Sequence, residues 1–291
     1  MTTKIRLTFW ATTVTVLAAT DRLCYHQPAP LRMLALIAVL FLCMKGIVLF
    51  EAKLDGKTTL TSWRRIAFIC GWFGMRPDVF ARRSRASLPH GLRLIVTGVI
   101  SAIAGLIVIR FASLGGHVLP RPMAICFLFV GCSLILHFGI LNICAGFWRL
   151  LGFDCRALFR TPWQASSLAD FWGRRWNVAF SEMISIAVVR PLTRSIGPRG
   201  ARLAGFLVSG LLHEVAITVP VRAGYGLPTL YFLLQAVLTD WELRTKQRSL
   251  LRRAITVAAV LLPAPLVFPT AFVDKIVWPI TATSTHLSTA W

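Results

Sequence analysis

The sequence predicts an all-α, polytopic helical membrane protein. Three observations carry that prediction. Of 291 residues, 56% are hydrophobic and only 15% are charged, where ordinary soluble domains carry roughly 25% charge. Apolar runs recur at lengths that approach or reach the roughly 20 residues a bilayer-crossing helix needs. The connecting loops alternate between rich and poor in Lys and Arg, as the positive-inside rule requires. A soluble all-α fold would have too few charges for its surface. Disorder is excluded by the apolar content, and the short alternating strands of an outer-membrane barrel are not evident.

The elements follow in order. Leu7 to Thr20 comes after Lys4 and Arg6 and ends in small residues. It reads as a cleaved signal peptide or a retained anchor, and the polytopic remainder favours the anchor. Leu31 to Phe50, Leu92 to Phe111 and Met123 to Phe147 match the length of full crossings. Leu203 to Pro220 follows, then the shorter Leu227 to Trp241, and Ala254 to Phe272 ends the series. Ile66 to Met75 is too short to cross and runs into a Pro and a basic cluster, so it reads as an interfacial helix. Asn177 to Val189 is also short and stops at Arg190-Pro191, which predicts a re-entrant or half-spanning helix. The sum is about seven to nine membrane helices, short ones included, in a single membrane-embedded domain over 1–291.

The formal net charge is +21. One basic loop holds Lys53, Lys57, Arg64 and Arg65, and the next holds Arg82, Arg83 and Arg85. A third holds Arg149, Arg156, Arg160, Arg174 and Arg175. Arg194, Arg199 and Arg202 follow, then Arg244, Lys246, Arg248, Arg252 and Arg253. The loops near Tyr25, Gly115 and Gly224 carry few cations. This alternation puts the basic loops and the N-terminus on the cytoplasmic side, with a bacterial inner membrane as the expected host. Nucleic acid is another partner that such a charge suggests. In so apolar a chain the expected partners are anionic membrane lipids and an anionic substrate, with no nucleic acid. The seven Cys are odd in number, mostly lie in apolar runs, and form no C-x-x-C pair. They predict neither a disulfide framework nor a zinc site, and no metal is expected.

Ionisable groups inside an apolar span cost about 2.5–3.5 kcal/mol at the helix centre and so need a reason. The run from Gly205 to Pro220 contains Ser209, His213 and Glu214. His213 lies about 15 Å along the helix from Leu203, close to the bilayer midplane. Gly205, Ser209 and His213 recur every four residues and share one face; Gly210, Glu214 and Thr218 form the neighbouring stripe. His213 is either a packing residue bonded to another helix or a working imidazole, and its depth favours the second. Adjacent helical positions point about 100° apart, so Glu214 is expected to meet another helix rather than pair with His213.

A second constellation runs from Ser167 to Asn177, with Phe171, Trp172 and Trp176 around Arg174 and Arg175. Trp favours the membrane interface and Arg binds phosphate bidentately. Asn177, Ser181 and Ser185 then share one helical face. Two readings stand: an interfacial Trp-Arg anchor with Asn177 as a helix cap, or a phosphate-reading rim with Asn177 facing a cavity. Glu182 is a further candidate for that cavity. His137 and Asn142 lie in the fourth span; His137 is either a packing residue or a substrate-pocket group.

The string Asp170-Phe171-Trp172-Gly173-Arg174-Arg175-Trp176-Asn177, followed by Ser209-Gly210-Leu211-Leu212-His213-Glu214, resembles the membrane-bound O-acyltransferase family, and most closely its wax synthase branch. The stretches Gly71 to Pro77 and His137-Phe138-Gly139, and the lead-in at Ser167-Leu168, are similar to that branch too. The similarity runs over about 71–241. The resemblance implies acyl transfer from acyl-CoA to the hydroxyl of a lipid alcohol inside a membrane tunnel, without a cofactor. It maps the family's Asn onto Asn177 and its His onto His213. His213 is then the expected general base, and desolvation favours its neutral form. Asn177 is expected to position the thioester or donate to the developing oxyanion. Trp172, Arg174, Arg175, Trp176, Ser181, Ser209, Glu214 and His137 are expected around the substrates. Arg174 and Arg175, with Arg190 or Arg194, are expected to meet the phosphates of acyl-CoA. Diacylglycerol or a sterol is the alternative acceptor, and a lipid transporter is the rival class, since it too carries re-entrant helices and midplane polar groups.

Overall fold

A computed structural model describes residues 2–56, 58–83, 88–114, 119–245 and 249–281. The basic-loop residues Lys57, Arg85, Lys246 and Arg248, and the cation-poor loop at Gly115, lie outside the described residues. Among the described residues all regular structure is helical. The principal helices are α1 (Thr2–Leu23), α2 (Ala29–Leu54), α3 (Ser62–Gly71), α4 (Leu88–Leu114), α5 (Arg121–Leu150), α6 (Val178–Val221), α7 (Leu227–Arg244) and α8 (Ser249–Leu261). Four of them, α2, α4, α5 and α6, are long and apolar enough to cross a membrane. The bent pair Arg252–Val267 and Thr270–Thr281 makes five if it counts as one span.

Two expectations need correction. The helix after Asn177 does not stop at Arg190-Pro191. Pro191 sits at the start of the next helical stretch, where its missing N–H costs nothing, and the chain continues to Val221. The predicted short helix therefore runs on past Pro191, and the predicted span at Leu203 follows it after a kink. The break falls instead at Gly197, whose φ of 71° only glycine adopts without strain, followed by Pro198 inside the helix. The interfacial segment is shifted as well: α3 ends at Gly71, and Trp72 to Met75 lie beyond it in irregular backbone.

Proline sets where the long helices begin. Pro28 precedes α2 and Pro120 precedes α5, each with a second Pro in the first turn, where the N–H is unpaired in any case. Short π-helical segments interrupt the regular hydrogen bonding at Leu134–Ile140, Phe171–Arg175, Ser185–Val189, Glu214–Thr218 and Val273–Val277. Such bulges are frequent at functional sites. Here three of them contain or adjoin His137, the Trp-Arg-Arg string and His213.

The chain forms two compact units. The first comprises 1–61, 75–78 and 161–272. In it α6 packs against α7 and against its own π segment, and α2 packs on the end of α6. Arg32 completes that end. Its side chain is 4% exposed, donates to the carbonyls of Pro220 and Val219, and pairs with Asp21 at 2.5 Å. A guanidinium thus satisfies carbonyls that a helix end leaves open.

The second unit comprises 62–74, 79–160 and 273–291. Its core is the pairing of α4 with α5, and glycines set the spacing. A Cβ on Gly98 would lie 2.8 Å from the Gly139 carbonyl, and one on Gly105 would lie 2.7 Å from the Gly131 carbonyl. A Cβ on Gly146 would lie 2.6 Å from the Gly91 carbonyl. The three α4 glycines recur every seven residues, so the backbones touch along one seam, as small residues allow in lipid.

Candidate active site

The site is built within the first unit from α6, α7 and the segment 168–177. Ser167 caps the start of that segment by accepting from the Asp170 N–H at 2.9 Å. The Leu168 N–H donates to Glu242 Oε2 at 2.8 Å, which ties the same turn to the end of α7. Asp170 is the organiser. Its carboxylate accepts from the Ser166 N–H at 3.1 Å and from Arg175 Nε at 2.6 Å, and lies 3.0 Å from Arg174 Nε. Burial raises the carboxyl's pKa, but the Ser166 N–H and the two arginines outweigh it and hold the group below the ordinary carboxylate range.

The two arginines therefore differ in kind. Arg175 is three-quarters buried and also bonds to the carbonyl and hydroxyl of Thr161, so it braces the segment. Arg174 is 75% exposed and keeps most of its guanidinium in solvent. Arg190 and Arg194 are exposed too. Of the four, Arg174, Arg190 and Arg194 are exposed, and Arg175 is taken up internally.

Trp172 and Trp176 turn inward. The Trp176 ring stacks on Phe171 at 5.7 Å. The Trp172 indole N–H donates to Gln235 Oε1 at 3.1 Å, and Gln235 in turn donates to the Ala259 carbonyl at 2.7 Å. The Trp172 ring also contacts Tyr231 and Phe232 of α7. An apolar aromatic wall results, with its polar edges satisfied.

Asn177 has φ 41°, the left-handed region that Asn tolerates better than most residues. It caps α6: its side-chain oxygen accepts from the Phe180 N–H at 3.3 Å. The capping reading is thus realised, and it uses the amide oxygen, which leaves the NH₂ as the side chain's donor. Ser181 Oγ donates to the Trp172 carbonyl at 2.6 Å, locking the cap to the aromatic segment.

His213 lies further along α6, just before a π segment, and is half-buried. Its Nδ1 is 2.7 Å from the Ser209 carbonyl. A carbonyl can only accept, so Nδ1 carries the proton. The other nitrogen, Nε2, then holds the lone pair in the neutral ring. The ring lies 5.1 Å from that of Phe180 and 4.3 Å from that of Phe232. Phe180 thus joins the two predicted residues: Asn177 bonds its N–H and His213 meets its ring.

The two predicted stripes of α6 face different partners. A Cβ on Gly205 would lie 3.1 Å from Ile184 and Val189, so that face packs on the earlier part of α6. Ser209 Oγ donates back to the Gly205 carbonyl at 2.8 Å. A Cβ on Gly210 would lie 2.7 Å from Thr229 Cα, so the neighbouring face packs on α7. Glu214 follows that face. Its Oε1 accepts from the Thr229 N–H at 3.0 Å and from the Thr229 hydroxyl at 2.9 Å, and its other oxygen accepts from the Thr218 hydroxyl. Glu214 thus meets another helix, as the angular argument anticipated.

His137 belongs to the second unit. Its ring stacks on Phe159 at 4.1 Å and its Nδ1 lies 2.9 Å from Ser133 Oγ. Asn142, also there, is buried. Glu182 is half-buried on α6. Sequence reasoning missed Phe180, Phe232, Gln235, Glu242 and Asp170 as site builders. Gln235 carried a usable signal, a polar side chain within an apolar span; the two Phe carried none.

Residues 155–234 match the family described as "Membrane bound O-acyl transferase family". That stretch holds both Asn177 and His213. Over 148 residues the chain is 34% identical to the probable long-chain-alcohol O-fatty-acyltransferase 9 of Arabidopsis thaliana, covering 47% of this chain and 43% of that protein. It is 37% identical over 106 residues to the long-chain-alcohol O-fatty-acyltransferase of Simmondsia chinensis, covering 33% and 30%. It is 31% identical over 165 residues to the probable long-chain-alcohol O-fatty-acyltransferase 8 of Arabidopsis thaliana, covering 52% and 49%. The matched stretches span less than half the length of each of these relatives. This segment, which contains the two strings that carried the resemblance, is similar to the membrane-bound O-acyltransferase family and to long-chain-alcohol O-fatty-acyltransferases.

Proposed function

We propose that the protein transfers a fatty acyl group from acyl-CoA to the hydroxyl of a lipid alcohol, forming a wax ester. The observation that carries this reading is the bond from His213 Nδ1–H to the Ser209 carbonyl, because it leaves Nε2 unprotonated. An aliphatic hydroxyl is a poor nucleophile until a base takes its proton during attack. In the proposed reaction Nε2 takes that proton and the alcohol oxygen attacks the thioester carbonyl. The Asn177 NH₂ donates to the carbonyl oxygen as it becomes an oxyanion. The adduct then collapses, the C–S bond breaks, and the imidazolium returns the proton to the thiolate of CoA. Trp172, Phe180 and Phe232 supply an apolar wall for the chains. Arg174, aided by Arg190 or Arg194, receives the charged head at the membrane surface.

In the same reading α1, α7, the bent pair and the two parts of α6 also enter or cross the bilayer, giving seven to nine membrane helices. The protein then lies in a cell membrane, a bacterial inner membrane in this proposal, with its N-terminus and basic loops cytoplasmic. That placing rests on loop charge and composition.

The test uses purified protein in detergent with labelled palmitoyl-CoA and a panel of fatty alcohols, diacylglycerol and sterol, with products separated by chromatography. Wax ester is the expected product. Ester formed only with diacylglycerol or sterol would reassign the acceptor, and no acyl transfer to any of them would overturn the enzyme reading. His213→Ala is expected to abolish CoA release, by at least the roughly 10²-fold that a general base contributes, while eluting as folded protein. Full activity in that variant would remove His213 as the base.

A further inference from the structure

In the first unit, three arginines of α6 and α7 gather on one carboxylate. Arg199 Nε and Nη2 donate to the two oxygens of Asp240 at 3.0 and 2.9 Å. Arg244, one turn further along α7, brings its Nε to 3.1 Å from Oδ2. Arg202 Nη2 lies 3.9 Å from Oδ1, beyond hydrogen-bonding reach. Three guanidiniums thus share one negative charge, a surplus of two positive charges among the described residues. Glu242, two residues on, does not offset them, because it is buried and turned to the Leu168 N–H and to Arg252. The side chains of Arg199, Arg202 and Arg244 are 59%, 43% and 56% exposed, whereas that of Asp240 is 17% exposed. Exposed pairs of this kind add little to stability. Their effect here is to hold like charges together in one patch.

Local structure explains how the patch forms and what depth it has. Gly197 breaks the helix and a new one starts at Pro198, so Arg199 and Arg202 stand in its first turns, three residues apart on one face. Gly197 has no side chain to cap that start, and a Cβ on it would meet nothing within 4 Å. Backbone N–H groups at a helix start favour a neighbouring anion, and the space beside this one is open. From α7, Asp240 and Arg244 meet the same turns, four residues apart on their own helix. Eleven residues of helix separate Arg202 from His213, an axial rise of about 16 Å. Eight residues separate Asp240 from Phe232, whose ring lies 4.3 Å from that of His213, a rise of about 12 Å. The patch therefore stands about 12–16 Å along the helix pair from the imidazole.

We propose that Arg199, Arg202 and Arg244 bind the diphosphate of acyl-CoA. The proposal rests on the acyl-CoA reading above and names where the charged head is held. A diphosphate carries about two negative charges, the size of the surplus, and its oxygens accept from forked guanidiniums. The pantetheine arm that joins it to the thioester is uncharged and counts about thirteen bonds from phosphorus to sulfur. At the roughly 3.3–3.6 Å that an extended chain covers in three backbone bonds, the arm reaches about 15 Å. A head seated on the patch thus brings the thioester level with His213. An anionic lipid headgroup offers the same charge but has no arm of this length, so the depth of the imidazole below the patch favours the nucleotide.

The experiment reads binding before turnover, so it stands whether or not the chain forms esters. Full-length protein in detergent is titrated with 3′-dephospho-coenzyme A, which keeps the diphosphate, and with pantetheine, which lacks it. Wild type is expected to bind the first about tenfold or more tightly, the scale of one charge-assisted contact. The double variant Arg199→Gln/Arg202→Gln is expected to lose that advantage while keeping its elution profile. Arg202→Gln alone, which removes no hydrogen bond to Asp240, is expected to lose about threefold, the scale of one exposed charge. Arg22→Gln, beside the Asp21–Arg32 pair that meets the other end of α6, is expected to retain the advantage. In turnover the double variant is expected to raise KM for palmitoyl-CoA about tenfold with kcat kept, and to leave S-palmitoyl-pantetheine unaffected. Misfolding does not produce that split. Absence of turnover in wild type would count against the acyltransferase reading, while the titration still judges the patch. No advantage in wild type, or an equal advantage in the double variant, overturns the site. So does a double variant that loses only a preference for phosphatidylglycerol over phosphatidylcholine nanodiscs, since the patch is then a lipid site.

Discussion

Asp170 shows at the scale of one side chain how the family string holds itself. The carboxylate is nearly buried, yet it gathers the Ser166 N–H and two guanidiniums, so its charged form is the stable one. A carboxyl whose pKa is lowered by folding adds stability above its unfolded value near 4, and that contribution is lost as pH falls through the folded value. Asp170→Asn leaves Arg175 buried and poorly matched, and the expected cost at neutral pH is about 3 kcal/mol, the lower end for a broken buried pair. The thermal midpoint of the variant should lie well below wild type at pH 7. The gap should narrow as pH falls through the unfolded value near 4 and close only below the lowered folded value, where the wild-type carboxylate is protonated too. A gap that stays constant over that range would show that Asp170 acts through shape rather than charge.

Helices pose a different question, because in lipid two apolar helices gain little from hiding apolar surface from each other. Close backbone contact then decides the pairing. Gly98 on α4 has no room for a methyl group beside the Gly139 carbonyl and Ile143, whereas Gly46 on α2 has nothing within 4 Å of its missing Cβ. Gly98→Ala is therefore expected to destabilise by about 1–3 kcal/mol, the range of overpacking. Gly46→Ala should be neutral or stabilise by up to about 1 kcal/mol through helix propensity. Melting of the two variants in one detergent checks both, and equal midpoints would refute the glycine seam.

The same glycines mark where the sequence was legible and where it was not. Apolar length predicted α2, α4 and α5 closely, because hydrocarbon thickness is a constraint on each helix alone. The stripe argument on α6 also transferred, since the spacing of Gly205, Ser209 and His213 is intrinsic to one helix. The passage of the helix through Pro191 to the kink at Gly197 was not legible: Pro191 reads as a stop, yet here it sits in the first turn of a helical stretch that continues the chain. Nor was the choice between cap and cavity at Asn177, which depends on a positive φ that spacing does not encode. The contacts of Phe180 and Phe232 with His213 are likewise products of packing between segments.

At the scale of the whole molecule the dominant fact is an excess of cations over anions of 21. The few acids are already engaged. Asp21, Glu51, Asp78, Asp154, Asp170, Asp240, Glu242 and Asp274 each pair with an Arg, and Asp240 alone serves Arg199, Arg202 and Arg244. The net excess of positive charge must draw its counter-charge from outside the chain. Anionic headgroups are the ready source, worth about 1 kcal/mol for each Lys or Arg near the surface. The protein should therefore melt at a higher temperature in phosphatidylglycerol nanodiscs than in phosphatidylcholine ones at about 50 mM salt. The difference should shrink at about 500 mM, where screening reaches only a few ångström, well below the roughly 10 Å at 0.1 M. A buried charge is screened far less than an exposed one, so the salt-sensitive part measures the surface cations alone. Equal melting in the two lipids at low salt would mean that these arginines are balanced within the protein, and the assignment of the basic loops to the headgroup layer would fall with it.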